Sequence, residues 1–142
     1  MHRYAAPAAL ATLAVALLGA AVSTHAATLT VDVQQASATP GALMIALYDQ
    51  ASPWLKKPLR ALRQVAGGGT TTVTLSDLPD GDYAISLFID VNGNGRLDTN
   101  ALGAPTEPYG FSNDASGSYG PPSFDQARIV VQGDTRTLIR LP

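Results

Sequence analysis

The sequence predicts an all-β protein: a single Ig-like or transthyretin-like sandwich of about six to seven strands with one long ordered loop. Three observations predict it. Several stretches alternate apolar and polar residues at a period of two. Proline, glycine, asparagine and aspartate punctuate the chain between those stretches. Beyond residue 26 no run repeats apolar side chains at helical spacing, and neither heptads nor internal repeats occur.

Ahead of the first strand, His2 and Arg3 precede an apolar run from Ala8 to Val22 and then small residues. This is the layout of a secretory signal peptide, with Thr24 and Ala26 suited to positions minus three and minus one of the cleavage site. Residues 1–26 are therefore expected to be a signal peptide, and residues 27–142 the β-sandwich domain of a periplasmic or secreted protein. The apolar run is shorter than the roughly 20 residues of a spanning helix, so no membrane span is expected once it is removed.

The mature chain carries eight basic and eleven acidic residues, a formal net charge of −3, which gives no reason to expect nucleic acid as a partner. Both histidines, His2 and His25, fall in the removed segment, and the chain has no cysteine. The mature protein thus lacks the side chains for Ser-His-Asp or Cys-His catalysis, for soft-ligand zinc or copper sites and for disulfides. A hard cation bound through oxygen is the remaining metal chemistry.

Leu29, Val31 and Val33 alternate with Thr28, Thr30 and Asp32 as a half-buried strand. After Thr39-Pro40-Gly41, the run Ala42–Tyr48 is apolar on both faces and reads as a more central strand. From Asp49 to Gly69 the pattern weakens, and most of the segment reads as connection. It holds Lys56, Lys57, Arg60 and Arg63, read as a solvated basic face rather than a phosphate site, and Trp54, read as a cover over the core. Another strand spans Thr70–Leu75. Pro79-Asp80-Gly81 then makes a turn, with Tyr83 expected to pack at a corner as it enters the next strand.

In that strand Tyr83, Ile85, Leu87 and Ile89 face one way and Ala84, Ser86, Phe88 and Asp90 the other. It delivers Asp90 into Asp90-Val91-Asn92-Gly93-Asn94-Gly95-Arg96-Leu97-Asp98, whose oxygens recur at the spacing of a calcium loop. Asp90, Asn92, Asn94, the Arg96 carbonyl and Asp98 occupy positions one, three, five, seven and nine. Ala101 stands where the full loop would supply its bidentate glutamate, so Glu107 is the candidate closing ligand, with water completing the shell. An ion held by so few carboxylates would bind at about 10⁻⁴ to 10⁻³ M. The competing reading is a polar turn, since Asn, Asp and Gly are ordinary turn residues.

The segment from 99 to 123 is rich in Gly, Pro, Ser and Asn, and the long loop 90–125 carries five acids against Arg96 alone. Tyr109, Phe111, Tyr119 and Phe124 are expected to anchor it. The chain closes with strands at Ala127–Val131 and Thr135–Leu141, joined at Gln132-Gly133-Asp134 as a hairpin.

Leu78-Pro79-x-Gly81-x-Tyr83-Ala84, the Asp90–Asp98 loop, Gly103-x-Pro105-x-Glu107-x-Tyr109-Gly110-Phe111-Ser112-Asn113 and Pro122-Ser123-Phe124-Asp125-x-Ala127 follow one another in an order that resembles the family called domain of unknown function 2141. The resemblance spans nearly the whole mature chain. It implies a small, β-rich, exported bacterial protein and brings no activity, ligand or partner with it. Members often carry a histidine just before the first aspartate of the loop and an acid just after it; here those positions are Ile89 and Val91, which favours an oxygen-only site.

The expected function is that of a non-enzymatic exported protein with a structural calcium loop. The alternative is a module at the cell envelope that binds glycan or protein through Tyr109, Phe111 and Tyr119. A third reading, a carboxylate hydrolase pairing Glu107 with Asp114 or Asp125, ranks last.

Overall fold

The computed structural model describes residues 25–142, so nearly all of the expected signal peptide lies outside the described residues. The strands are β1 (Ala27–Gln35), β2 (Gly41–Asp49), β3 (Arg60–Ala66), β4 (Thr70–Leu78), β5 (Gly81–Asp90), β6 (Tyr109–Phe111), β7 (Ile129–Val131) and β8 (Thr135–Leu141). A 3-10 turn at Ser112–Asp114 follows β6, and one turn of helix, α1 (Phe124–Ala127), precedes β7. The fold is an all-β sandwich of two sheets, with eight strands rather than six or seven.

One sheet has the order β4-β1-β8, with β1 antiparallel to β4 and parallel to β8. The other has the order β3-β2-β5-β6, and β7 pairs with the edge of β5 that β6 also occupies, nearer the start of the strand. Period-two alternation fills the space between the sheets. Leu29, Val31 and Val33 of β1 meet Leu43, Ile45 and Leu47 of β2, Ile85, Leu87 and Ile89 of β5, and Ile139 and Leu141 of β8 in one apolar core. Each large aliphatic buried there contributes about 1.5–3 kcal/mol. On the outer surface of the first sheet the Arg136 guanidinium, and then the Thr72 hydroxyl, hold the Asp32 carboxyl below its ordinary range.

β6 is a three-residue strand inside the segment read as the long loop, and three further elements differ from the sequence reading, each for a local reason. β3 lies in the segment expected to be connection. As an exposed edge strand it has no buried face to impose alternation, and Val65 is 78% exposed. Arg60, one of the four basic residues there, donates to the carbonyls of Ser76 and Asp77, and Gln64 donates to that of Thr72 at 3.3 Å. Both tie β3 to β4 across the open side of the sandwich and shield a free edge. Next, the strand expected from Ala127 starts at Ile129, because Ser123 and Gln126 close a capping box that winds residues 124–127 into α1. Finally, β7 and β8 are not a hairpin. β7 pairs with β5 and β8 with β1, so Gln132–Asp134 crosses between sheets, anchored by Gly133 N–H on Asp80 and Thr28 N–H on Asp134, both at 2.9 Å.

A second apolar cluster covers the outer face of the larger sheet. Ala84, Phe111 and Ala127 form it with Trp54, Ala115 and Phe124 packed against them. Trp54 is its hub: its ring meets Tyr48, Phe124 and Phe111 with centroids 4.9, 5.9 and 6.1 Å away, and its Nε1–H donates to the Pro122 carbonyl at 2.9 Å. Tyr83 sits at the expected corner, donating its hydroxyl to the Pro79 carbonyl at 2.7 Å.

Candidate functional site

β5 keeps Ile85, Leu87 and Ile89 in the core, so Asp90 emerges on the opposite face at the end of the strand. It does not emerge into water. Asp90 is 2% exposed, covered by the loop that follows, and its carboxylate organises that loop. Oδ1 accepts from the amides of Gly93 (2.9 Å) and Asn94 (3.1 Å), and Oδ2 accepts from the amide of Gly95 (2.8 Å). These bonds compensate the hydration the charge loses on burial. Gly93 and Gly95 adopt φ of 74° and 78°, the left-handed conformation that turns the chain tightly around the carboxylate.

The side chains at the third, fifth and ninth positions converge as well. Asn92 and Asn94 donate their side-chain amides to the two oxygens of Asp98, at 2.6 and 2.8 Å. Their own oxygens accept from the backbone two residues on, Asn92 from Asn94 at 3.2 Å and Asn94 from Arg96 at 3.1 Å. The loop is thus a lattice of Asx turns. Ala101, at the twelfth position, is exposed.

Glu107, the candidate closing ligand, reaches the same loop from below. It is 8% exposed; one carboxylate oxygen accepts from the Val91 amide at 2.8 Å and the other from the Asp98 amide at 3.0 Å. It therefore clasps the two ends of the loop. The chain between Asp98 and Glu107 folds back on itself: Thr106 N–H meets the Asp98 carbonyl at 2.9 Å, and the Asn100 side chain accepts from Leu102 and Ala104. Leu102 at its tip is 93% exposed. The chain then rejoins β5 through Ile89 N–H and the Pro108 carbonyl (2.9 Å) and enters β6.

Among the described residues no group of three or more His, Cys, Asp or Glu side chains is arranged to hold a metal ion. A cation here would depend on the asparagine and main-chain oxygens as much as on Asp90 and Asp98. The acids weighed as a catalytic pair have separate surroundings. Glu107 serves loop amides, Asp114 pairs with Arg140 at 2.5 Å and accepts from its amide at 2.8 Å, and Asp125 lies exposed in the first turn of α1.

Ser112 and Asn113 end the Gly103–Asn113 motif, and the sequence reading gave neither a role. Ser112 is fully buried and fills the gap on the edge of β5 between β6 and β7: its hydroxyl accepts from Ile85 N–H at 2.9 Å and donates to the Ala127 carbonyl. Asn113 donates to the Arg128 carbonyl at 2.6 Å. Of the four aromatics expected to anchor the long loop, Phe111 and Phe124 do so, whereas Tyr109 is 40% exposed and Tyr119 projects fully into solvent at φ 62°. Tyr109 and Tyr119 instead line a groove of about 630 Å³ on the outer face of the larger sheet. Its floor is β5 and β6, one wall is the return arm of the Asp90–Asp98 loop with Leu97 and Leu102, and the other is the 117–121 segment.

A family model described as an uncharacterized protein conserved in bacteria (DUF2141) matches residues 31–139. No curated protein and no solved structure matches the chain.

Proposed function

The chain belongs to the DUF2141 family, and we propose that it is an exported, non-enzymatic β-sandwich protein in which a calcium ion, bound in the Asp90–Asp98 loop, staples the long 91–125 connection to the end of β5. The observation that carries this reading is the convergence of Asn92, Asn94 and Asp98 beside the amide-wrapped carboxylate of Asp90. Oxygen donors at alternate positions of one tight loop suit a hard cation. The ligands would be side-chain oxygens of Asp90, Asn92, Asn94 and Asp98 and the Arg96 carbonyl. Glu107 supports them from below, and a direct bond from it would compete with its two amides.

Binding has a stated cost. The ion takes the Asp98 oxygens from the two asparagine amides, exposed hydrogen bonds worth about 0.5–1.5 kcal/mol each. A millimolar dissociation constant is a net binding free energy of about 4 kcal/mol, so the ion–oxygen contacts must exceed that by the loss of these bonds, and the result is weak binding of the extracellular kind. The non-enzymatic reading is supported by the absence of histidine and cysteine after residue 25 and by the separate contacts of Glu107 and Asp114.

Calorimetric titration of the purified protein with calcium tests the staple. The expected result is heat with a dissociation constant of about 10⁻⁴ to 10⁻³ M and, at about 10 mM calcium, a stabilisation of roughly 1.5 to 3 kcal/mol. No heat and no rise in melting temperature would leave only a polar turn. Export is tested by the N-terminus of the protein recovered outside the cytoplasm, expected at Ala27.

A further inference from the structure

The groove beside the loop is built from parts that point to a ligand of one kind. We propose that it binds an uncharged, pyranose-containing oligosaccharide. The site adjoins the cation loop, whose Leu97 lines one wall, but includes none of the proposed cation ligands, and binding through the groove does not require the ion.

The first argument is charge. No Asp, Glu, Lys, Arg or His lines the groove. The chain around it, from 90 to 125, holds five acids and one arginine. A charged ligand would lose hydration in the groove with no opposite charge in the lining to meet it, and an anionic one would also be repelled by the surrounding acids.

The second is hydrogen-bonding capacity. Five residues that line the groove, Tyr48, Ser86, Thr99, Tyr109 and Tyr119, carry hydroxyls. Tyr83, which lies elsewhere, is the one tyrosine whose hydroxyl has a partner among the described residues, and the hydroxyls of Ser86 and Thr99 have none there either. Each hydroxyl both donates and accepts, which matches the hydroxyls of a sugar. A purely apolar ligand would cover these groups without bonding them, at a cost of about 1–3 kcal/mol for each one left unpaired.

The third is the rings. Tyr109 stands edge-on to Phe111 at 6.0 Å and 82°, Phe111 meets Trp54, and Trp54 meets Tyr48, so two groove tyrosines close the ends of a packed aromatic chain. Their rings are held before any ligand arrives, which lowers the ordering cost of binding. Tyr119 and Leu102 add exposed apolar surface from the two walls, and Tyr119 is held there by a left-handed backbone. A pyranose offers an apolar face to such rings and a polar rim to their hydroxyls. The volume lies in the ordinary range of small-ligand sites.

The second wall has a requirement of its own. A Cβ on Gly117 would sit 2.2 Å from the Gly120 carbonyl oxygen and 2.5 Å from that of Pro121, so only glycine lets the 117–121 segment close this tightly.

The experiment uses the purified protein in EDTA, titrated separately with maltotriose, cellotriose, laminaritriose and chitotriose, and with a proline decapeptide as the competing occupant of an aromatic groove. Trp54 fluorescence and amide NMR shifts report binding. At least one neutral trisaccharide is expected to shift groove resonances, with affinity falling at least tenfold in Tyr119→Ala and in Tyr109→Phe. Tyr119 is wholly exposed, so its variant keeps the wild-type melting temperature, and Tyr109→Phe keeps the ring. No binding of any of the four sugars, binding unchanged in both variants, or binding of the peptide alone would each overturn the proposal. The titrations are repeated in about 10 mM calcium, so failure in both conditions overturns the proposal whether or not the loop binds an ion.

Discussion

Replacing Glu107 by glutamine separates two roles that the same carboxylate could play. In the structure its oxygens accept from Val91 and Asp98 at 2.8 and 3.0 Å, at a site 8% exposed. Hydrogen bonds to a charged group contribute about 1.5–3 kcal/mol each. Glutamine keeps one acceptor and turns an NH₂ group toward the other amide, donor against donor. One bond is lost and one buried amide is left unpaired, which together cost about 2–3 kcal/mol. For a domain of this size each kcal/mol lowers the melting temperature by about 4 °C, so Glu107→Gln is expected to melt roughly 8–12 °C below wild type. The measurement belongs in EDTA, where no cation contributes, with urea unfolding alongside; the midpoint should fall while the m-value stays constant. If Glu107 acted only as a cation ligand, the two proteins would melt together in EDTA and diverge in calcium. A difference in EDTA of less than about 2 °C refutes the clasp.

Other substitutions follow from the same geometry. Ser112→Ala orphans the Ile85 amide and the Ala127 carbonyl in a fully buried place and is expected to cost about 2–3 kcal/mol in urea unfolding; a loss below about 0.5 kcal/mol would mean the edge of β5 is supported otherwise. Trp54→Phe removes the bond to Pro122 and part of the ring stack, and should destabilise by about 1–3 kcal/mol. Gly117→Ala should broaden or shift the amide resonances of residues 115–121 while leaving β1 and β2 unchanged; an unperturbed segment would contradict the close approach. Asp32 titrates below its ordinary value of 3.8, so its contribution is complete above that pH and fades as pH falls through the lowered folded value. Asp32→Asn should therefore weaken the protein against urea at pH 7 and converge with wild type near pH 2, and an equal deficit at both would disprove the linkage.

Much of the sandwich was legible because its inward faces obey one rule: the alternation in Leu29–Val33, Leu43–Leu47 and Ile85–Ile89 names the core directly. β3 was hidden for the converse reason, since an exposed edge has no pattern to show. The pairing of β8 was hidden because inward residues such as Ile139 and Leu141 read the same whichever strand lies alongside. α1 was missed: Ser123-x-x-Gln126 has the spacing of a capping box, but a single turn gives too short a window for periodicity. Asp90, Asn92, Asn94 and Asp98 could be placed together because contiguous spacing fixes their neighbourhood. Glu107 was expected there as a closing ligand; the structure shows it accepting from the Val91 and Asp98 amides, a clasp that depends on how the return arm folds. Tyr109, Phe111 and Tyr119 could be named together from the loop, but the shape of the groove lay beyond reach, because Tyr48, Phe88 and Leu102 join them only through the tertiary fold.

The parallel pairing of β1 with β8 sets a condition on how the molecule comes into being. Leu29 stands beside Thr135 and Gln35 beside Leu141, so the first strand of the domain is flanked by the last. β4 can dress one side of β1 early, but the other side has no partner until residues 135–141 are available. Contacts of such long sequence separation form late, because so much chain must first be brought together. A folding chain stays open along that seam, with one edge of β1 bare, and the sandwich locks only when β8 slides into place.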